Sequence, residues 1–421
     1  MRNSTGPQRD LFPTPQKKLG DLYPKTTAHE VVGLFSGIGG FELGLQRAQH
    51  NTLLMCEIWE PAKAVLAKRF PSIPLVSDVF DFTADPSLIP RKTTLLTAGF
   101  PCTDLSQAGM TAGINGENSG LVYQVFRVLH ERVRNGNPIP WLIIENVPFM
   151  LQLGKGHAMD VIVSELERLG YRWAYRVIDS RAFGLPQRRQ RVFLVASLDG
   201  DPRAVLLSDD AGEPGPTLKS DWTEHACGFY WTEGVRGLGW GHNCVPTIKG
   251  GSAIGIPSPP AIVLPDGRIV KPHIRDAERM QGFKSNWTLP AEKVSKTGFR
   301  WKLVGNAVSV NVAGWLGERL RTPRHYDPSG DTPLIRADRK WPRAAWNIDG
   351  LRMIANVSAW PMQRRPPRLA SFLRNEPTLL SRRATQGFLN RATSDKCKLR
   401  FPPGFIEIVR KHLRTVEQMH P

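Results

Sequence analysis

Short apolar runs that alternate with helical patterns constrain the fold of this chain most strongly. Each run has the length and the β-branched content of a buried strand. They lie at 30–35, 52–56, 94–98, 141–144, 175–179 and 191–196. Helical patterns at 61–70, 121–134 and 158–169 separate the runs. This alternation predicts an α/β domain with a mainly parallel sheet over 30–197.

The rest of the chain has a different texture. Residues 1–29 are polar and rich in proline, which predicts a flexible leader. Glycine, proline, serine and aromatic residues are frequent over 198–274, which predicts a small, irregular, β-rich domain. Helical patterns over 275–322 indicate a return to the first domain. Residues 323–421 form a basic C-terminal extension, because 331–421 carry 18 Lys and Arg against 7 Asp and Glu.

The charge balance indicates a polyanionic partner. The 421 residues hold 56 Lys and Arg against 38 Asp and Glu, a formal net charge of +18. Such an excess favours nucleic acid, although a basic soluble protein without such a partner is the alternative. No apolar run reaches membrane-spanning length and the leader lacks an apolar segment, so we expect a cytoplasmic protein with no membrane contact.

The cysteines argue against a disulfide framework and against a metal site. There are 5 of them, widely spaced and without a C-x-x-C pair. We therefore predict no metal centre, while one cysteine remains available as a nucleophile.

A glycine-rich turn follows the first predicted strand. Glycines at this place let a ligand approach the backbone, and Glu57 at the end of the second strand suits ribose hydroxyls. The pattern favours a cofactor that contains adenosine. A purely structural turn is the alternative, and the spacing is not the G-x-G-x-x-G that favours a nicotinamide cofactor.

Three further sites follow predicted strands or lead into one. Cys102 comes after the strand at 94–98, where open α/β sheets place their active sites, and its thiolate would be a nucleophile. Glu145 follows the strand at 141–144 and suits acid catalysis. Arg189 and Arg191 lead into the strand at 191–196 and suit a carboxylate, phosphate or base. The alternatives are an inert buried thiol, a helix cap and a solvated charge run.

Taken together, the order and spacing of these sites resemble the DNA (cytosine-5)-methyltransferase family. Two later blocks complete the resemblance, one at 275–283 and one at 305–308. The similarity spans about 30–320 of the sequence, with the variable region where the family has it. The positions that depart from the family pattern are Thr103, Leu105, Asp276 and Ala307.

The resemblance implies a doubly wound sheet of the S-adenosylmethionine-dependent methyltransferase fold, joined to a small target-recognition domain. It implies that Glu57 holds the ribose, that Ile58 packs on the adenine and that Asp78 accepts from the adenine amino group. The full set of cofactor-binding residues implied in this way is Phe35, Ser36, Gly37, Ile38, Gly40, Glu57, Ile58, Asp78, Val79, Pro101, Leu121 and Asn306.

The resemblance also implies the chemistry. The Cys102 thiolate would attack carbon 6 of a cytosine turned out of the duplex, and Glu145 would contact ring N3 and the exocyclic amine. Arg191 would steady the base and Glu145 with support from Arg189, while Asn146 would hold the loop around Cys102. A glycine-rich segment at 103–120 is expected to close over the flipped base.

The implied partner is double-stranded DNA of a specific sequence, and the implied enzyme is a monomer. Methylation would protect the DNA of the host from a companion restriction endonuclease. Candidate recognition residues are Trp222, Tyr230, Trp231, Arg236, Trp240, His242, Lys249 and Arg268. Three rival interpretations remain at this point: methylation of tRNA, a binding protein with an inactive core, and a nicotinamide-dependent oxidoreductase.

Overall fold

The structure is a computed structural model, and it describes residues 28–101, 120–215, 222–232, 237–250, 259–335 and 340–419. Cys102, the segment 103–119, Arg236 and all but the end of the predicted leader lie outside these ranges. None of the described helices is long and apolar enough to cross a membrane.

Strands form wherever the sequence has its apolar runs. The strands, in chain order, are β1 (Glu30–Leu34), β2 (Asn51–Cys56), β3 (Leu75–Val76), β4 (Leu95–Ala98), β5 (Trp141–Asn146), β6 (Arg172–Asp179), β7 (Gln187–Arg188), β8 (Gln190–Ser197), β9 (Cys227–Phe229), β10 (Gly241–His242), β11 (Val245–Pro246), β12 (Ala261–Val263), β13 (Ile269–Lys271), β14 (Thr332–Pro333), β15 (Ala344–Ile348), β16 (Leu351–Ile354) and β17 (Thr378–Leu379). Further short strands come from parts of the sequence without long apolar runs.

Helices connect the first strands and return after the variable region. The helices, in chain order, are α1 (Gly40–Arg47), α2 (Glu60–Arg69), α3 (Asp81–Ala84), α4 (Leu121–Arg134), α5 (His157–Arg168), α6 (Pro202–Leu206), α7 (Ile274–Met280), α8 (Phe299–Asn306), α9 (Val310–Arg321), α10 (Leu369–Phe372), α11 (Arg382–Ala392) and α12 (Phe405–Met419). The helical patterns at 61–70, 121–134 and 158–169 correspond to α2, α4 and α5.

The central sheet has the strand order β14-β16-β15-β6-β8-β5-β4-β1-β2-β3. From β5 to β3 all neighbouring strands are parallel, and from β5 to β14 they are antiparallel. Two neighbouring residues of β1 show why helices cover both faces. Val31 packs in a cluster with α1 and α9, whereas Val32 packs with α4 and α5. The predicted α/β class with a doubly wound sheet is confirmed.

A second, antiparallel sheet has the strand order β10-β9-β12-β13-β17. Four of its strands come from the region that the sequence marks as a separate recognition unit. Aromatic side chains cover one face, where Phe229 of β9 contacts Phe388 of α11 and Phe405 of α12, with ring centres 5.3 and 5.2 Å apart. The sheet therefore depends on helices that the C-terminal part of the chain supplies.

The basic C-terminal part contributes to both sheets. β15 pairs antiparallel with β6 in the central sheet, and β17 pairs with β13 in the second sheet. Trp341, Trp346, Trp360 and Phe388 are all buried, as their apolar character suggested. The limits of the units stay predictions, but the last 80 described residues are folded onto the preceding chain.

Asp276 anchors this C-terminal part to α7. Its carboxylate is fully buried and accepts hydrogen bonds from the backbone of Arg374 and Asn375 at 3.2 and 3.1 Å. Arg279 donates to it at 2.6 Å. The family pattern usually has glutamate at this position. The shorter aspartate of this chain accepts hydrogen bonds from the backbone of a distant segment.

We expect Asp276→Asn to lower the free energy of unfolding by about 3 kcal/mol, because it removes a fully buried carboxylate and leaves the partly buried Arg279 without its counter-charge. Urea denaturation followed by tryptophan fluorescence measures this change. Asp266→Asn is the matched control, since its ion pair with Arg268 is half exposed and should contribute under about 1 kcal/mol. Equal losses in the two variants would contradict this role of Asp276.

Candidate active site

The carboxyl ends of β1, β4 and β5 meet at one edge of the central sheet, because these strands are parallel neighbours. β8 runs antiparallel to β5 and begins at the same edge, with Asn146 opposite Val192. This register brings the end of β5, which carries Glu145, beside the start of β8, which carries Arg191. Side chains that are 46 residues apart in the sequence therefore share one site.

A cavity of about 370 Å³ opens at this edge, and we call it the edge cavity. Its volume lies within the usual range for small-molecule sites. Nine of the twelve residues that the sequence suggested for a cofactor line it: Phe35, Gly37, Glu57, Ile58, Asp78, Val79, Pro101, Leu121 and Asn306. The sequence did not point to the other lining residues, which are Cys56, Trp59, Ala62, Ser77, Phe80, Gly99, Lys302, Leu303 and Ala307.

The three remaining candidates, Ser36, Ile38 and Gly40, are not on the wall of the edge cavity. Ile38 is 1% exposed and packs in a hydrophobic cluster with Phe70 of the segment after α2. The turn reverses direction sharply, since Phe35, Gly37 and Gly39 all have positive φ angles, at 57, 57 and 82°. Alternate side chains of the turn therefore point away from the cavity.

Glu57 links two turns on the wall of the edge cavity. One carboxylate oxygen accepts from the backbone N–H of Gly37, and the other accepts from the N–H of Trp59, both at 2.8 Å. Burial raises the pKa of Glu57, and these backbone donors oppose that rise. Each oxygen keeps a further lone pair, so the carboxylate can also accept from a pair of hydroxyl groups.

Apolar side chains form another part of the wall. Ile58 is 67% exposed and Phe80 is 39% exposed, which is unusual for side chains of this size. Asp78 lies beside them, and its carboxylate accepts from the backbone N–H of Phe80 at 3.0 Å. An acceptor next to exposed apolar groups suits a flat heterocycle that carries an amino group.

Glu145 and Arg191 form a buried ion pair at the end of β5. The distance between Glu145 Oε1 and Arg191 Nε is 3.1 Å, and the two side chains are 9 and 14% exposed. Burial raises the pKa of Glu145, while Arg191 and then Arg189 oppose the rise. Among the described residues, Oε1 has no donor aligned as a hydrogen bond. This carboxyl group is therefore positioned but keeps hydrogen-bonding capacity.

Asn146 fixes the backbone that leads to Cys102. Its side-chain amide donates to the carbonyl of Phe100 at 3.1 Å and accepts from the N–H of Val147 at 2.8 Å. A Cβ atom built on Gly99 would lie 3.8 Å from Glu145 Oε2, so the end of β4 lies against this carboxyl group. Cys102 follows Pro101 directly, although its own position lies outside the described residues.

Arg189 acts on the backbone of another segment. It is 1% exposed, and its guanidinium donates to the carbonyls of Gly305 and Ala307 at 3.0 and 2.7 Å. These two carbonyls flank Asn306, which lines the edge cavity. The predicted support for Arg191 stays a prediction, and the structure adds contacts that hold the edge cavity in shape.

Glu42 is a buried acid that the sequence analysis missed. It lies on α1, is 1% exposed and, within the described residues, has no aligned hydrogen-bond partner for its carboxylate oxygens. Its carboxyl group and the Ser36 hydroxyl fill the space that a side chain at Gly33 would need. Burial raises the pKa of Glu42 from 4.5 to about 7, and the charge of Glu57 adds to the rise. Helical spacing alone gives no sign that this acid is buried.

The aromatic residues suggested for sequence readout have structural partners. Trp222 donates to the carbonyl of Pro403 at 3.0 Å, and Trp231 donates to that of Pro259 at 2.8 Å. The ammonium group of Lys249 lies 4.1 Å from the ring centre of Tyr230. These contacts stabilise the structure around the second sheet, and the readout roles of these residues stay predictions.

Sequence comparisons identify the family. A sequence model described as C-5 cytosine-specific DNA methylase matches residues 29–222. The Type II methyltransferase M2.BsuMI of Bacillus subtilis (strain 168) is 47% identical over 369 residues, which cover 86% of this chain and 93% of that protein. The chain belongs to the C-5 cytosine-specific DNA methylase family. It is a DNA (cytosine-5)-methyltransferase, as the motifs predicted.

Other relatives share smaller parts of this methylase. The Type II methyltransferase M.BanI of Aneurinibacillus aneurinilyticus is 34% identical over 42% of this chain and 40% of its own. Among solved structures, the S. pombe Dnmt2 methyltransferase matches 69% of this chain and 98% of its own, with 16% identity and a TM-score of 0.46.

The pKa of Glu42 predicts how the stability of the methylase depends on pH. The Glu42 carboxyl group holds its proton more tightly in the folded protein than in the unfolded chain. Protonation of Glu42 therefore stabilises the fold fully below pH 4.5, and this contribution is lost as the pH rises through about 7. Glu42→Gln keeps the group neutral. We expect the free energy of unfolding of Glu42→Gln, relative to that of the wild type, to rise by up to about 3 kcal/mol from pH 5 to pH 9.

Urea denaturation of both proteins at pH 5 and pH 9 measures this gain. Glu60→Gln is the control, because Glu60 is 70% exposed in its ion pair with Lys63. A stability difference between Glu42→Gln and the wild type that stays constant with pH would show that Glu42 is ionised in the folded methylase at both values.

Proposed function

We propose that this methylase transfers the methyl group of S-adenosylmethionine to carbon 5 of a cytosine in a specific sequence of double-stranded DNA. Cys102 is the proposed covalent nucleophile and the target base is turned out of the duplex. The observation that carries this proposal is the buried Glu145–Arg191 pair, which lies against the end of β4 just before Pro101 and Cys102.

The residues of the edge cavity fit S-adenosylmethionine. Glu57 has lone pairs for the two ribose hydroxyls, and Asp78 suits the adenine amino group. Ile58 and Phe80 offer apolar surface that an adenine ring would cover. The cofactor supplies a methyl group that is electrophilic because it is bonded to a positively charged sulfur.

The protein side of the reaction follows from ring electronics. Carbon 5 of cytosine is a weak nucleophile, and bonding of the Cys102 sulfur to carbon 6 turns the ring into an enamine. Negative charge then builds at N3, and the Glu145 carboxyl group donates a proton or hydrogen bond there. Arg191 holds that carboxyl group in place. After carbon 5 takes the methyl group and leaves the cofactor sulfur as a neutral thioether, carbon 5 gives its proton to water. The Cys102 sulfur then leaves as a thiolate, N3 returns its proton to Glu145, and the ring is aromatic again.

Base flipping is required because the sulfur and the methyl group approach the faces of the cytosine ring, and neighbouring bases cover both faces in the stacked duplex. Unstacking costs a few kcal/mol, which contacts to the extruded base must offset. We propose that the segment 103–120 closes over the base; all of it except Gly120 lies outside the described residues. A specific target also fits a role beside a companion restriction endonuclease, and the name of the 47% identical relative as a Type II methyltransferase supports this role.

Tritium transfer from labelled S-adenosylmethionine tests the proposed activity. We expect transfer to duplex DNA but not to tRNA, and bisulfite sequencing should map the product to one short sequence. Cys102→Ala should lower the rate at least about 10³-fold, because it removes the covalent step. Transfer to tRNA alone, or full activity of the alanine variant, would contradict the proposal.

A further inference from the structure

A second cavity of about 580 Å³ lies where the central sheet, the second sheet and the C-terminal part meet. We call it the basic cavity. Its wall combines arginines with histidines, an aromatic ring and turn residues: Arg181, Pro214, Gly215, His225, His242, Asn243, Cys244, Trp360, Gln363, Arg364, Arg365 and Pro366. None of these residues has a role in the edge cavity.

Sheet topology places the basic cavity on the same edge as Glu145. β6 is antiparallel to β8, and β8 is antiparallel to β5, so β6 runs in the direction of β5. Arg181 comes two residues after β6 and therefore lies at the carboxyl edge. Two strand spacings separate β6 from β5, which corresponds to about 10 Å. The basic cavity, through Arg181, therefore borders the same edge of the sheet as Glu145.

Arg181 is held rigidly in the wall. Its guanidinium donates to the two carboxylate oxygens of Asp179, at 3.2 and 2.8 Å, and lies 5.2 Å from the ring centre of Trp360. Asp179 is fully buried. This arrangement balances the charge of Arg181 and leaves the net charge of the wall to other residues.

Arg364 and Arg365 supply that net positive charge. Both are exposed, and neither has an ion-pair partner among the described residues. Their backbone is fixed, because the N–H of Arg364 donates to the carbonyl of Ala182 at 3.0 Å. The charge of Glu213 acts on Arg181, but its side chain is exposed and does not line the cavity. Two unpaired guanidinium groups on an anchored backbone therefore face a concave surface.

The histidines add polar groups to the wall of the basic cavity. The ring centres of His225 and His242 are 4.6 Å apart, so the two rings pack edge to face. Both come from the region of the second sheet, whereas Arg364 and Arg365 come from the C-terminal part. The basic cavity therefore exists only because these two parts of the chain fold together.

We propose that the basic cavity binds a backbone phosphate of the DNA duplex beside the target site, with Arg364 and Arg365 as the principal donors. This inference rests on the proposed function. A guanidinium group presents paired N–H donors that match two phosphate oxygens, and unpaired arginines beside a DNA path lower the free energy of binding through counterion release. The contact carries no sequence information and fixes the position of the duplex.

Salt dependence of DNA binding tests this assignment. The double variant Arg364→Ala/Arg365→Ala should bind all duplexes more weakly, and the slope of log Kd against log salt should fall by about 1 for each arginine. Fluorescence anisotropy with labelled duplexes measures this slope when the NaCl concentration is varied from about 50 to about 300 mM.

The matched control is Arg410→Ala/Arg414→Ala on α12. These arginines are exposed, belong to the same C-terminal part and remove the same charge, but they do not line the basic cavity. The control should keep the wild-type slope and the wild-type rate of methyl transfer. Equal slopes in the wild type and both variants, or equal losses in both variants, would overturn the proposal.

Further measurements separate this inference from the proposed function. Methyl transfer to DNA by the wild type, together with an unchanged slope in the cavity variant, would overturn the phosphate site alone. No transfer by the wild type would instead contradict the function itself. Calorimetric titration of the wild type and the cavity variant with inorganic phosphate covers the other source of this anion. Micromolar binding that only the cavity variant loses, together with an unchanged DNA slope, would assign the cavity to a free anion and overturn the duplex contact.

Discussion

The buried pair of Glu145 and Arg191 is the interaction on which the site depends. An acid that is removed from water resists ionisation, and a neighbouring guanidinium opposes that tendency. The antiparallel register of β5 and β8 holds the two groups together, so the sheet itself keeps the carboxyl group beside its counter-charge. Gly99, which follows β4, lies next to this carboxyl group, so the backbone that leads to Cys102 reaches the same edge.

The C-terminal part of the chain joins the two sheets. It adds β15 to the central sheet and β17 to the second sheet. The backbone N–H groups of Arg374 and Asn375 also donate hydrogen bonds to the carboxylate of Asp276. These contacts fix the position of the second sheet relative to the edge where the reaction is proposed. The positive charge that the sequence concentrates here is therefore attached to a folded framework, and part of it faces the basic cavity.

The sequence predicted the parts of this architecture that have strong local signals. Apolar runs mark β1, β4 and β5, and polar residues that directly follow them reach one edge because parallel strands end together. Ile38 could not be placed, since left-handed residues in its turn redirect side chains. The partners of Arg189 lie 116 and 118 residues away, and the strands of the C-terminal part are too short to show periodicity. Burial of Glu42 depends on packing around Gly33, which no local pattern records.

Covalent trapping tests the central claim most directly. Duplex DNA that carries 5-fluorocytosine at the target cannot lose the substituent at carbon 5, so a methylase that uses Cys102 should remain bonded to it. With S-adenosylmethionine present, we predict a denaturation-resistant adduct that maps to Cys102 by peptide mass spectrometry. Glu145→Gln should form it far more slowly while still binding DNA. No adduct from folded wild-type protein that binds cofactor and DNA, or an adduct at another residue, would contradict the account.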